Sequence, residues 1–222
     1  MISDLECSRL RNGMWSLQFG DHLYYSYDKA ASQLPLVNSF IRAGLELGHQ
    51  CIHVADDLTE EAVMHGLREM GVEADSAEQR GALRFLNKWQ WRRHEEIDPP
   101  TMMDGLASLV SQGSRAGYSG TRIWVDMTWA LNPGVDSLRL EIWETLLHRV
   151  IQGEPVIFTC SYNHRRLPAS TLKVGENTHP WCIMDGRVLP NDRSRLAALF
   201  AKHAPLLRRL APPSRPRLAG AP

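Results

Sequence analysis

Ile123-Trp124-Val125-Asp126-Met127-Thr128-Trp129-Ala130-Leu131 is the stretch whose reading decides the fold. An apolar run ends in one carboxylate, a Trp follows three residues later, and the turn Asn132-Pro133-Gly134 closes it. A short apolar run bounded by turn residues reads as a buried strand of a sheet covered on both faces. In open α/β sheets ligands bind beyond the carboxyl ends of the strands, which puts Asp126 at that edge. The plainer reading is that Asp126 caps the turn and Trp129 fills the core.

Upstream, residues 1–20 form a polar lead-in, and His22-Leu23-Tyr24-Tyr25-Ser26-Tyr27 has the aromatics of a first strand. Asp28 is placed to cap a helix from about Lys29 to Leu47, with Leu34, Val37, Ile41 and Leu45 on one face, Pro35 near its start and Gly48 as its stop. Cys51–Ala55 reads as the second strand, and Thr59 caps a helix ending near Gly71. Leu83–Leu86 is a weak third strand before an irregular aromatic-basic segment, Trp89–His94, a lid or partner surface too small for nucleic acid. Pro99-Pro100-Thr101 opens the next helix, and residues 121–131 are strand four. Downstream, Leu138, Ile142, Leu146 and Val150 phase a helix, Val156–Cys160 is the fifth strand and Trp181–Met184 the last. Asp192 then caps a helix carrying Leu196, Leu199, Phe200 and Leu207.

Strands alternating with helices predict an α/β fold, a three-layer sandwich around a mainly parallel central sheet. One domain is expected over residues 21–210, including a C-terminal helix over 193–210. The Pro/Arg-rich tail at 211–222 is expected to be disordered.

The 222 residues carry 25 basic and 25 acidic side chains, so no global field draws the chain to nucleic acid or an anionic membrane. No apolar run long enough to span a bilayer occurs, and the start lacks a secretory pattern, so a cytoplasmic location is expected. Four scattered cysteines, Cys7, Cys51, Cys160 and Cys182, make no disulfide scaffold.

A phosphate-binding loop would need Gly-x4-Gly-Lys-Ser/Thr between the first strand and helix, where amides cradle the phosphates. That place reads Tyr25-Ser26-Tyr27-Asp28-Lys29-Ala30-Ala31-Ser32, without a glycine and with an acid that repels phosphate. The dinucleotide pattern is absent too, which argues against nucleotide hydrolysis and against an enzyme of that kind; no cofactor is expected. Cys160-x3-His164 and His179-x2-Cys182 have zinc-like local spacing and would close a tetrahedral site if their loops met. Against it, both cysteines look like in-strand hydrophobes and His179 precedes Pro180 in a turn, so a metal site is not favoured. Cys160 or Ser161 with His164 or His179 as nucleophile and base is generic, and no Gly-x-Ser-x-Gly elbow is present.

Aromatic and polar residues gather at strand ends, namely Tyr25 and Tyr27, Asp56 and Asp57, Asp126 and Trp129, Tyr162 and His164. Aromatic walls with a few placed polar groups suit a small organic ligand. The alternatives are a divergent nucleotide- or metal-dependent enzyme using Asp126 and the Cys/His groups, and an interaction protein docking through its last helix and tail.

Seven segments in order carry a family resemblance: 22–28, Phe40–Gly48, Cys51–Asp57, Gly81-Ala82-Leu83, Val125–Leu131, Cys160-Ser161-Tyr162-Asn163 and Thr178-His179-Pro180. Together they resemble the MEDS domain, the methanogen/methylotroph sensory domain, over approximately residues 20–190. The resemblance implies a RecA/KaiC-like core without its P-loop, used as a sensory input to transcription regulators and histidine kinases. It implies a sensor of small, often hydrocarbon-derived molecules; with no helix-turn-helix or kinase segment evident, a stand-alone sensor acting through a regulatory partner or homo-oligomer is expected. The ligand-binding set expected on this reading is His22, Tyr25, Tyr27, Asp126, Trp129, Tyr162 and His179. Family members carry Glu where this chain has Asp126, one carbon shorter with the same charge.

Overall fold

The computed structural model describes residues 13–92 and 98–210; most of the lead-in, Arg93 and His94, and the 211–222 tail lie outside the described residues. Strands β1 (His22–Tyr27), β2 (Gln50–Ala55), β3 (Leu83–Asn87), β4 (Thr121–Asp126), β5 (Val156–Asn163) and β6 (Trp181–Met184) run parallel, and β7 (Arg187–Pro190) returns antiparallel along β6. They form one sheet in the order β3-β2-β4-β5-β1-β6-β7. The sandwich is the expected one, an α/β fold with a mostly parallel sheet between two helical layers.

Alternation along the central strands sends side chains to two cores. Val156, Phe158, Cys160 and Tyr162 of β5 share one core with Ile123 and Val125 of β4, while Trp124 and Ile157 enter the other. The first is covered by α4 (Lys88–Arg92), α5 (Pro99–Arg115), α6 (Ser137–Ile151), α7 (Ala169–Thr178) and α8 (Leu196–Leu210). The second is covered by α1 (Ala30–Glu46), α2 (Glu60–Glu69) and α3 (Ala74–Gln79). All eight residues of β5 are buried, the signature of a strand covered on both faces.

Several expectations need correction. Strand four stops at Asp126, because its carboxylate accepts the Thr128 N–H and turns Met127–Leu131 into a 3-10 helix. Strand five runs on to Asn163, and α3, α7 and β7 were not foreseen. Asp28 does not cap α1; Lys29 takes that position without a side-chain bond, and Asp28 faces Arg165 at 3.7 Å. Pro35 is the sixth residue of α1, past the turn whose amides are free anyway, so it deletes an intrahelical bond. The segment after β3 is helical, with Trp91 buried against Phe158 at 5.9 Å and Trp89 exposed. The last helix starts at Leu196 rather than 193, beyond Asp192. It packs on its own domain, burying Leu199 and Leu207 while Lys202 and His203 reach Glu141 at 2.6 Å. Gly48 is a stop as expected, at φ +74°, and Thr59 caps α2 through the Ala62 N–H at 3.2 Å.

Candidate functional site

At the carboxyl edge of β2 and β4, three carboxylates are tied into one network. Asp126 accepts Thr128 N–H at 3.0 Å and Thr128 Oγ1–H at 2.8 Å on Oδ1. Its Oδ2 accepts the Tyr27 hydroxyl at 2.8 Å and the Asp57 N–H at 3.0 Å. Asp57 is held by Asn163 Nδ2 at 2.7 Å and paired with Arg166; Asp56 is held by Lys88 at 3.1 Å. Burial pushes the Asp126 carboxyl above its usual range, with Thr128 and Tyr27 pulling the other way. Thr128 has one hydroxyl proton and Asp56 Oδ2 lies nearer to it, at 2.7 Å, so Asp56 and Asp126 share that donor. Asp126 works here as a turn cap and latch.

Beside it, between the ends of β1 and β6, the first turns of α1 and the β6–β7 turn, lies a crevice of about 780 Å³. Tyr24, Tyr25, Ser26 and Ser32 supply rings and hydroxyls, Leu36 and Ile183 apolar surface, and Glu176, Asp185, Asp192 and Arg193 the charged groups. Glu176 is paired with Lys173 at 3.1 Å and Arg193 at 2.7 Å. The turn closing the crevice places Asp185 at φ +48° and Gly186 at φ +70°, left-handed backbone that costs the aspartate strain. This volume falls in the range of small-molecule sites.

A third group lies inside the domain, on the face covered by α6 and α7. His22, Glu144, Cys160 and His179 are fully buried together, and among the described residues theirs is the cluster of donor groups able to hold an ion. Burial holds His22 well below and His179 down at about 3, and it pushes the Glu144 carboxyl up. Without an added cation both imidazoles are therefore uncharged, and the His–Glu contacts are not ion pairs. His22 Nδ1 and His179 Nε2 have no hydrogen-bond partner, a cost of about 1–3 kcal/mol for each buried group.

The seven residues expected to form one pocket are thus dispersed. Tyr25 lines the crevice, and Tyr27 and Asp126 belong to the latch beside it. Trp129 is core, edge-on to Trp143 at 5.4 Å. His22, Tyr162 and His179 sit on the opposite face, since His22 and Tyr162 alternate away from Tyr25 and Tyr27 along paired strands. Of the residues weighed as metal ligands, Cys160 and His179 meet; His164 is exposed and near Ser26, and Cys182 lines the crevice. Glu144 was missed because phasing on Leu138 and Ile142 set the helix stripe too early. The buried residues are Leu140, Trp143, Glu144, Thr145, Leu146, Leu147 and Ile151, which include Leu146 of the expected stripe, and a carboxylate among them was the readable signal.

The sheet and its two helical layers form an α/β fold of the RecA/KaiC-like kind, as two solved structures show. The flagellar accessory protein FlaH from Methanocaldococcus jannaschii superposes with a TM-score of 0.51 at 15% identity, over 84% of this chain and 81% of its own. A KaiC-like protein from Pyrococcus horikoshii OT3 gives a TM-score of 0.51 at 11% identity, over 74% and 70%. At these identities the likeness is one of fold. The family follows from sequence: residues 21–180 match MEDS, the MEthanogen/methylotroph, DcmR Sensory domain, and the chain belongs to that family of sensory domains. No curated protein matches the chain. Among the described residues no helix is long and apolar enough to cross a membrane.

Proposed function

We propose that this chain is a cytoplasmic sensory module that binds a small organic molecule in the crevice beside β1 and β6 and signals through a partner protein, a transcription regulator or kinase. The observation that carries the reading is the lining of that crevice. In a nucleotide-binding sheet the end of β1 and start of α1 hold phosphate with glycine amides and a lysine. Here Tyr24, Tyr25, Ser26, Ser32 and Leu36 line the crevice, and its charged groups are three acids, Glu176, Asp185 and Asp192, against one base, Arg193. Those groups favour a compact, partly apolar molecule with a hydroxyl or amine and disfavour a polyphosphate. A ligand wedged there touches α1 and the β6–β7 turn at once, so it has differential affinity for conformers that move the turn.

The test is a thermal-shift screen of small alcohols, amines, aromatics and nucleotides on the full chain and on Ser32→Trp, which fills the crevice from an exposed position. At a hundredfold excess over Kd a bound ligand adds about 2.7 kcal/mol, or roughly 5–11 °C for a domain of this size. The expected result is a small organic hit that Ser32→Trp abolishes. A hit that survives Ser32→Trp, or stabilisation by nucleotide triphosphate alone, overturns the reading.

A further inference from the structure

We propose that His22, Glu144, Cys160 and His179 bind one divalent transition metal of zinc's type as a closed, four-ligand centre inside the domain. The assignment is independent of the crevice, which lies elsewhere and shares none of the four residues.

The geometry carries it. His22 Nε2 is 3.3 Å from Glu144 Oε2, and His179 Nε2 is 3.6 Å from the same oxygen. Cys160 Sγ is 3.6 Å from His22 Nε2 and 3.7 Å from Glu144 Oε2. The four donor atoms all lie within 4.8 Å of one another. Zinc bonds of about 2.0–2.1 Å to nitrogen and oxygen and 2.3 Å to sulfur, at tetrahedral angles, give donor separations of about 3.3–3.6 Å. The contacts around Glu144 are those edges.

The surroundings fit as well. His179 Nδ1 donates to the Gly175 carbonyl at 2.8 Å, which fixes the tautomer and turns the lone pair of Nε2 into the cluster, where that atom has no hydrogen-bond partner. Glu144 Oε1 accepts the Tyr162 hydroxyl, which leaves Oε2 for the centre. A dication with one thiolate and one carboxylate is neutral, and neutrality is what full burial demands. All four positions are taken by protein, the pattern of a structural rather than a catalytic centre. It fastens β1, β5 and α6 to the junction between α7 and β6. Because the site is enclosed, metal enters as the domain folds.

The test uses the full chain, the metal alone and two readouts. Purified protein is analysed for bound metal, then unfolded in chelator and refolded with Co²⁺ or with none. The expected result is stoichiometric metal, a thiolate-to-cobalt charge-transfer band with tetrahedral d–d absorption, and a lower melting temperature when refolded without metal. Cys160→Ser removes the charge-transfer band, and His179→Ala lowers the stoichiometry. Should either variant fail to fold, the wild-type chain still decides. No stoichiometric metal together with no cobalt spectrum overturns the proposal and leaves a hydrogen-bonded core cluster. So does a thiolate band that Cys160→Ser retains. Failure of this centre would leave the Ser32→Trp ligand result untouched, and the reverse holds equally.

Discussion

Tyr27→Phe isolates the latch at the sheet edge. The change removes one oxygen from a buried ring whose hydroxyl lies 2.8 Å from Asp126 Oδ2 and 3.1 Å from Asp57 Oδ2. The ring stays in place, so apolar burial is unchanged and the loss is that of a hydrogen bond to a charged, buried acceptor, about 1.5–3 kcal/mol. Asp126 keeps the Asp57 and Thr128 N–H donors and shares the Thr128 hydroxyl with Asp56, so the upper end of that range is the ceiling. For a domain of this size that corresponds to a fall in Tm of roughly 3–12 °C. The pH dependence has a definite sign. Asp126 has its folded pKa raised above 3.8, so its contribution is full below that value and is lost as pH rises through the folded pKa. Tyr27 stabilises the ionised form, so its removal raises the folded pKa further. The deficit of Tyr27→Phe relative to wild type is therefore largest above the folded pKa of Asp126 and shrinks on acidification through it. Calorimetry at several pH values measures it, with Tyr118→Phe as control, since that hydroxyl meets the Arg80 carbonyl at the surface, where changes stay within about 0.5 kcal/mol. Equal shifts for the two variants, or a deficit that widens on acidification, would refute the latch.

Two further outcomes follow from burial. His53 is fully buried with neither ring nitrogen bonded, and burial lowers it to about 4. Its depressed pKa gives a contribution present above pH 6.5 and lost as pH falls toward 4, at up to about 1.4 kcal/mol per pH unit. His53→Leu should therefore lose less Tm than wild type between pH 7 and 4.5; parallel curves would show the imidazole to be solvated. Trp129→Ala should cost about 3–5 kcal/mol in urea unfolding, as expected for an aromatic deleted from a packed core. A loss below about 1 kcal/mol, the scale of surface changes, would return Trp129 to a ligand wall.

What sequence could and could not show divides along one physical line. Strand and helix positions follow from local pattern, and Val156–Cys160, the Thr59 cap and the Gly48 stop were legible because each is decided within a few residues. Asp126 and Trp129 were ambiguous because a carboxylate at a strand end and a nearby Trp read the same as ligand contacts or as cap and core. The geometry chose the latter. The buried cluster was half visible: Cys160 and His179 stood out by type, but their partners come from β1 and α6, and only sheet order brings those together. His22 was grouped with Tyr25 and Tyr27 in the expected pocket, although period-two alternation along β1 turns it to the other face. Glu144 was lost to a helix phase set too early.

The place of β1 in the sheet has a consequence for how the chain is made. The first strand to emerge during synthesis ends up flanked by β5 and β6, the fifth and sixth to emerge. Its amides and carbonyls have no lasting neighbours until the last third of the domain exists, and loop-closure entropy across that separation must be overcome first. Assembly is thus gated from the C-terminal side: Val156–Asn163 must be made before β1 can pair on one flank, and Trp181–Met184 before it can pair on the other.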